Sequence, residues 1–393
     1  MPRSHRRRRI AIALTGALAL GVRADDKLPK PTDAERLDDV RRARVFEPTD
    51  VASKDLLNGP PGRLPIHLDD EVSCTFVPKQ MNGWTEKFSC RLDDGKVVKV
   101  KYNGPSAYKE VFGEVLGTRL FWALGFYADR MIPVHLTCRD CPEHPWEYVN
   151  RRKRVPRDEK GEIEELPRDA LTGTYRFDLA VIEDPVDAEV IEQKGQQGWD
   201  WKLLDLVDPS QGATRAEIDA LKLLNAFVQN ADNKAAQNTL ACPREAIAKD
   251  ETGAVLCRRP ILYVDDLGSV FGAGGFTTGG SGRIDYEGWK SRPVWRDAKT
   301  CRARLTSVGG DFRHTTLKDP VIGEAGRQLL AKQLAALSDA QIADLFRAAR
   351  VDRLGLTLRD GASGERAVTV EDWVVLFKAK RREITEHAAC PNP

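Results

Sequence analysis

Ile261-Leu-Tyr-Val-Asp-Asp-Leu-Gly-Ser-Val-Phe-Gly272 starts as an apolar run and opens onto two aspartates, a glycine and a Phe-Gly pair. A short apolar run bounded by glycine reads as a buried strand. An aspartate at the mouth of a strand, with glycine two places on, can reach a metal ion while the backbone turns away. Asp265 and Asp266 are neighbours and point to opposite sides of an extended chain. Asp266 opens Asp266-Leu-Gly268, so Asp265 reads as structural. Upstream lies Asn230-Ala-Asp-Asn-Lys-Ala-Ala-Gln-Asn238. It follows a helix opened by the capping box Thr214-Arg-Ala-Glu217 and continued through Ile218, Leu221, Leu224 and Val228. Cys242 and Cys257 flank an excursion between the two aspartate motifs.

Towards the N-terminus three strands are predicted. Ser73-Cys-Thr-Phe-Val77 and Glu86-Lys-Phe-Ser-Cys-Arg-Leu92 are the first two. Lys96-Val-Val-Lys-Val-Lys-Tyr102 follows an Asp-Asp-Gly turn and alternates apolar and basic residues, as a half-buried strand does. A helix should run from about Ser106, its cap, to Leu124, with Gly125 as its stop and Val111, Phe112, Val115 and Leu116 as its apolar face. Arg130 to Thr137 and Tyr175 to Ile182 read as further strands, the second broken by Glu183-Asp184-Pro185. Between them, Arg151 to Arg168 is a solvated run of mixed charge. Ser338-Asp-Ala-Gln341 opens another helix. A strand-rich first half followed by a helix-rich second half predicts an α+β fold with two lobes.

Phosphoryl transfer needs few groups: a carboxylate near the acceptor, side chains that hold metal, and a lysine on the nucleotide phosphates. In kinase-like folds these come in a fixed chain order, namely strand lysine, helix glutamate, loop aspartate with an amide five places on, then Asp-x-Gly. Lys101, Glu114, Asp232 and Asp266 follow that order. The chain resembles the kinase-like superfamily, and its atypical, exported branch more than ordinary protein kinases. Asp266-Leu-Gly-Ser-Val-Phe-Gly272 looks like the metal-binding segment of phosphatidylinositol kinases and of the Golgi casein-kinase family. Asp232-Asn-Lys234 resembles their catalytic loop, and the two together resemble HipA-type bacterial kinases. The resemblance covers most of residues 71 to 290.

The resemblance implies a two-lobed protein-kinase-like fold, with the strand-rich lobe at 71–190 and the helical lobe at 191–393. It implies ATP with Mg²⁺ or Mn²⁺ as cofactors. Asp232 would be the catalytic base and Lys234 would sit beside the transferring phosphate. Lys101 would grip the nucleotide phosphates while paired to Glu114, and Asp266 would hold the metal. Two departures stand out. The amide five places after Asp232 is Gln237, with Asn238 next, and either could serve as the second metal ligand. The first strand turn has Gly83 alone rather than a glycine-rich loop. Each residue also has a plainer reading. Lys99 and Lys101 could be solvated on one strand face, Glu110 or Glu114 could make surface ion pairs, and Asp232 could cap a turn. Gly272 to Gly282, with Thr277, Thr278 and Ser281, reads either as a substrate-facing segment or as a plain loop. Trp199, Trp201, Trp289 and Trp295 read as core.

Residues 1–24 have the three parts of a secretory signal: Arg6 to Arg9, the apolar Ile10 to Val22, and a small-residue cleavage site ending at Ala24. The apolar stretch is short for a membrane span, and the alternative is an uncleaved anchor. No later segment resembles a span. Residues 25–70, polar and proline-rich, read as an extended arm. The protein is expected in the periplasm or outside the cell.

Eight cysteines in an oxidising compartment read first as disulfides, with about 105 possible pairings. Cys74 and Cys90 sit on adjacent predicted strands, Cys242 and Cys257 flank one excursion, and Cys301 would then meet Cys390. Cys138-Arg-Asp-Cys141 is a disulfide, a redox pair, or half of a zinc site shared with Cys242 and Cys257.

With 61 basic and 59 acidic residues, the near-neutral balance points to no nucleic-acid partner. The reading is an exported kinase-like phosphotransferase with a nucleotide and an acceptor (protein, glycan or lipid) as partners. Its rivals are a secreted pseudokinase or nucleotide-binding scaffold, a structural cell-surface protein, and a thiol oxidoreductase using Cys138 and Cys141.

Overall fold

The computed structural model describes residues 27–83, 85–104, 109–150, 173–192, 198–272, 284–305, 317–360 and 364–391. The expected signal segment, Ser106, the charged run Arg151 to Arg168, and Thr277, Thr278 and Ser281 lie outside these residues.

The segment expected as an extended arm is packed instead. It carries helix α1 (Asp33–Arg42), started by a capping box between Thr32 and Glu35. Val40, Ala43, Val45, Phe46, Val51 and Leu56 are buried in the larger hydrophobic core. These apolar residues show no regular period, so tertiary packing alone reveals their role.

Five strands close into a barrel. They are β1 (Glu71–Val77), β2 (Lys87–Leu92), β3 (Val97–Tyr102), β4 (Arg130–Cys141) and β5 (Gly173–Asp184), joined in the order β1-β2-β3-β5-β4. β1 and β4 run parallel and every other pair is antiparallel. Phe76, Phe88, Val98, Val100, Val134 and Ile182 fill the inside. Strand alternation therefore turns Lys87, Lys99, Lys101, Val181 and Glu183 outward. Closure also removes the unpaired edges that an open sheet would expose. Helix α2 (Glu110–Ala123) lies on the outer face, where its Val111, Phe112, Val115 and Leu116 join Met131 and Val181 in the larger core. A short helix, α3 (Pro145–Val149), follows β4.

After the barrel the chain is helical with a small sheet. β6 (Ala188–Val190) leads to helix α4 (Arg215–Phe227), which starts at the capping box of Thr214 and Glu217. β7 (Asn238–Pro243) and β10 (Ile261–Val264) pair antiparallel, with β6 on the far side of β7. The hairpin of β8 (Ile247–Lys249) and β9 (Val255–Cys257) lies between them in sequence. Helices Glu324–Ala335, Asp339–Ala348 and Val370–Thr385 complete this part. Phe271, just past β10, is fully buried with its ring centroid 4.7 Å from that of Trp289. Trp199, Trp201 and Trp295 are also core residues. The second half thus carries more strand than its capped helices suggest.

Four disulfides join Cys74 to Cys90, Cys138 to Cys141, Cys242 to Cys257 and Cys301 to Cys390. A zinc site shared by Cys138, Cys141, Cys242 and Cys257 is overturned by these pairings. The strand register sets Cys138 beside Cys74, and the sulfurs of Cys74, Cys90 and Cys138 lie within 4.8 Å of one another. Among the described residues no helix is long and apolar enough to cross a membrane.

Candidate active site

Lys101 is the penultimate residue of β3 and points out of the barrel towards α2. Its ammonium forms an ion pair with the Glu114 carboxylate on that helix, and both side chains are buried, at 6% and 0% exposure. Burial disfavours the charge on Lys101. The carboxylates of Glu114, Asp266 and Glu183 outweigh it and hold the ammonium well above its usual range. Burial pushes the Glu114 carboxyl up, with Lys101 opposing. Neither residue is the solvated surface charge of the plainer reading.

Small residues on α2 bring the Asp266-Leu-Gly268 turn against the same helix. A Cβ on Gly113 would run into the Gly268 carbonyl oxygen, and one on Gly117 would lie 2.6 Å from the Leu267 Cβ. Gly268 in turn leaves no slack. A Cβ there would meet Glu110 and Glu114 atoms at 3.0 Å. Helix glutamates and strand-mouth aspartate are thereby gathered without any local sequence contact between them.

Backbone hydrogen bonds stitch the two aspartate loops together. The Gln237 carbonyl accepts from the N–H groups of Asp265 at 2.9 Å and Asp266 at 3.3 Å. Ala231 donates to the Ser269 carbonyl at 2.9 Å, and Phe271 donates to the Val228 carbonyl at 2.6 Å. The loop around Asp232 is fixed from below by asparagines. Asn233 donates to the carbonyls of Asn230 and Leu317 and accepts from the Leu317 N–H. Asn230 donates to the Asn225 side chain at 2.9 Å. Asp232 itself stays half-exposed. Lys234 Nζ lies 2.7 and 2.9 Å from its two oxygens, and the Gln237 side-chain amide donates to it at 3.0 Å. The two candidate amides are thereby told apart. Gln237 turns towards Asp232, whereas Asn238 is buried and donates to the Trp199 carbonyl at 2.9 Å.

Charge balances across this cluster. Burial would raise the Asp266 carboxyl, but Lys101 and a hydrogen bond from the Gly268 N–H hold it below its usual range. Glu110, one turn before Glu114, is pushed up to about 7 by burial and then by the charge of Asp266. Lys87 is pushed down to about 8 by burial and then by Lys101. Lys87 is a site residue that sequence reading missed. The β2–β3 register sets it directly opposite Lys101, and its ammonium lies 5.9 Å from the Trp146 ring of α3. Pairing the two predicted strands across their Asp-Asp-Gly turn would have revealed it. Asp265 faces away as expected and shares a hydrogen bond with buried Asp129. Burial, followed by the charge of Asp265, pushes the Asp129 carboxyl well up, and burial raises Asp265 as well, so the two carboxyls share a proton.

No family model matches the chain, and no curated protein does. Solved structures do. A proinflammatory kinase of Helicobacter pylori, CtkA, is similar at 9% identity and a TM-score of 0.40, over 81% of this chain and 96% of that one. The Golgi casein kinase with Mn and ADP bound is similar at 11% identity and a TM-score of 0.33, over 81% and 73%. HipA of Shewanella oneidensis, from a complex with HipB and operator DNA, is similar at 11% identity and a TM-score of 0.28, over 79% and 65%. Its structural neighbours are kinase-like. At these scores the likeness carries no argument about chemistry, which must come from the side chains.

Those side chains suit a hard divalent cation. Asp266 is held ionised, and Asp232 and the Gln237 amide oxygen are further oxygen donors of the kind that Mg²⁺ and Mn²⁺ take. Lys101 and Lys87 add two cations on the adjacent barrel face, a disposition suited to polyphosphate.

Proposed function

We propose that this chain is an exported, atypical kinase-like phosphotransferase that moves the γ-phosphoryl group of ATP to an acceptor molecule. The carrying observation is the convergence of the buried Lys101–Glu114 pair with Asp266 and the backbone-linked Asp232 loop. In this reading the barrel, within residues 71–190, is one lobe and residues 191–393 form the other. Lys101 holds the phosphates, with Glu114 fixing its position. Asp266 and Gln237 hold Mg²⁺ or Mn²⁺, which neutralises phosphate charge when bound. Asp232 orients the acceptor hydroxyl and takes its proton as the new O–P bond forms and ADP leaves. Lys234, on Asp232, offsets charge on the moving phosphoryl group. Four disulfides support export, with cleavage of the signal near Ala24.

The test is transfer of labelled γ-phosphate by the purified, disulfide-intact chain with Mn²⁺ and ATP, to itself or to an added protein, glycan or lipid. Asp266→Ala should abolish transfer while the chain still folds, as read by far-UV circular dichroism. Equal transfer by that variant would defeat the assignment. A second reading, nucleotide binding without turnover, is favoured by one observation: Lys234 and Gln237 together engage both oxygens of Asp232. A thermal shift with nucleotide and metal, without transfer, would select it.

A further inference from the structure

Lys99 precedes Lys101 by two residues and so shares its outward face. The β3–β5 register sets Lys99 opposite Glu183, just as Lys101 lies opposite Val181. Lys99 Nζ is 2.5 Å from Glu183 Oε2, with side-chain exposures of 36% and 11%. The pair lines a cavity of about 550 Å³ together with Lys79, Met81, Ser89 and Pro185. That volume is within the ~300–1,000 Å³ of small-molecule sites. The cavity continues the face that holds the phosphate-binding lysine, one pleat further along the strand. The charge of Lys99 is felt at Asp266 and that of Glu183 at Lys101, so cavity and ion pair form one electrostatic unit. A nucleotide whose phosphates meet Lys101 would extend along this outward face, which carries Lys99 and the cavity two residues away on the same strand.

The chemistry of the pair is directional. A carboxylate only accepts hydrogen bonds and an ammonium only donates them. Guanine presents an acceptor, O6, beside two adjacent donors, N1–H and the 2-amino group, which match an ammonium beside a carboxylate. Adenine presents one amino donor beside a ring-nitrogen acceptor, so it satisfies fewer of the same groups. We infer that Lys99 and Glu183 are a base-reading pair that favours a guanine nucleotide over an adenine nucleotide. The inference rests on the nucleotide-binding reading above and extends its donor from ATP to GTP, the more tightly bound of the two. A cross-strand ion pair with no ligand role is the competing account.

Calorimetric titration of the whole, disulfide-intact chain with GTP, ITP and ATP, each with Mn²⁺, separates these. GTP should bind tighter than ATP. ITP, which lacks the 2-amino donor, should bind about tenfold weaker than GTP, the loss expected for one hydrogen bond to a charged group. Glu183→Gln should erase the GTP-over-ITP preference. Lys99→Met, which spares the carboxylate, should weaken GTP and ITP alike through O6, so the inference can fail even if one variant misfolds. Wild-type preference for ATP, or a GTP:ATP ratio unmoved by both variants, overturns the base-reading pair and leaves nucleotide binding standing. Binding of none of the three overturns the nucleotide reading itself.

Discussion

Gly113 of α2 rests on the backbone of Gly268 with no room for a Cβ between them. A glycine inside a helix ordinarily costs about 1 kcal/mol relative to alanine, so replacing it should stabilise α2 taken alone. Here the neighbour is backbone and cannot step aside. Overpacking of this kind costs ~1–3 kcal/mol. Gly113→Ala should therefore lower the urea midpoint, and Gly113→Val should lower it further while weakening nucleotide binding. A midpoint raised by alanine would show that helix and turn do not touch.

Lys101→Met leaves the buried Glu114 without its partner. Breaking a buried ion pair from one side costs about 3–5 kcal/mol, whereas removing both charges can be nearly neutral. Lys101→Met should thus destabilise strongly, and adding Glu114→Leu should recover part of the loss, because buried Asp266 still lacks its counter-charge. Activity should stay lost in both variants, because the phosphate contact is gone. Chemical denaturation together with phosphate transfer separates the two effects.

Glu110 sets a pH dependence with a definite sign. Its folded value of about 7 lies above its ordinary 4.5. Between those values the folded chain keeps a proton that the unfolded chain has released, so stability present in mild acid is lost as pH rises towards neutrality. Asp266, lowered in the fold, acts oppositely, and its contribution disappears only in strong acid. The metal-free melting temperature should fall between about pH 5 and about pH 7, and Glu110→Gln should flatten that slope. An unchanged slope would remove Glu110 from the account.

The Cys301–Cys390 bond closes a separation of 89 residues and Cys242–Cys257 one of 15. Loop-closure entropy favours the longer loop by about 1.6 kcal/mol. Replacing both cysteines of the 301–390 pair by serine should lower the denaturation midpoint more than doing so at the 242–257 pair. Cys390 also donates its N–H to Glu324 at 2.7 Å, so the C-terminal tail should become the first protease-sensitive site.

What the sequence determined by itself was local. Alternation marked β3, capping boxes marked the helices after Thr214 and Ser338, and the two aspartate motifs announced themselves through their neighbours. Those signals are short-range because hydrogen-bonded turns and strand pleats repeat within a few residues. A capping box at Thr32 was equally local, but the prolines around it masked its helix. The tertiary structure alone decided that β1 and β4 close a barrel, that Lys87 stands opposite Lys101, and that Gln237 rather than Asn238 turns to Asp232. It also seated Cys138 beside Cys74 instead of near Cys242. Contacts of this kind depend on register and on the fit of distant surfaces, where one residue of slip exchanges inside for outside. No window of sequence contains that information, because it resides in which buried faces meet.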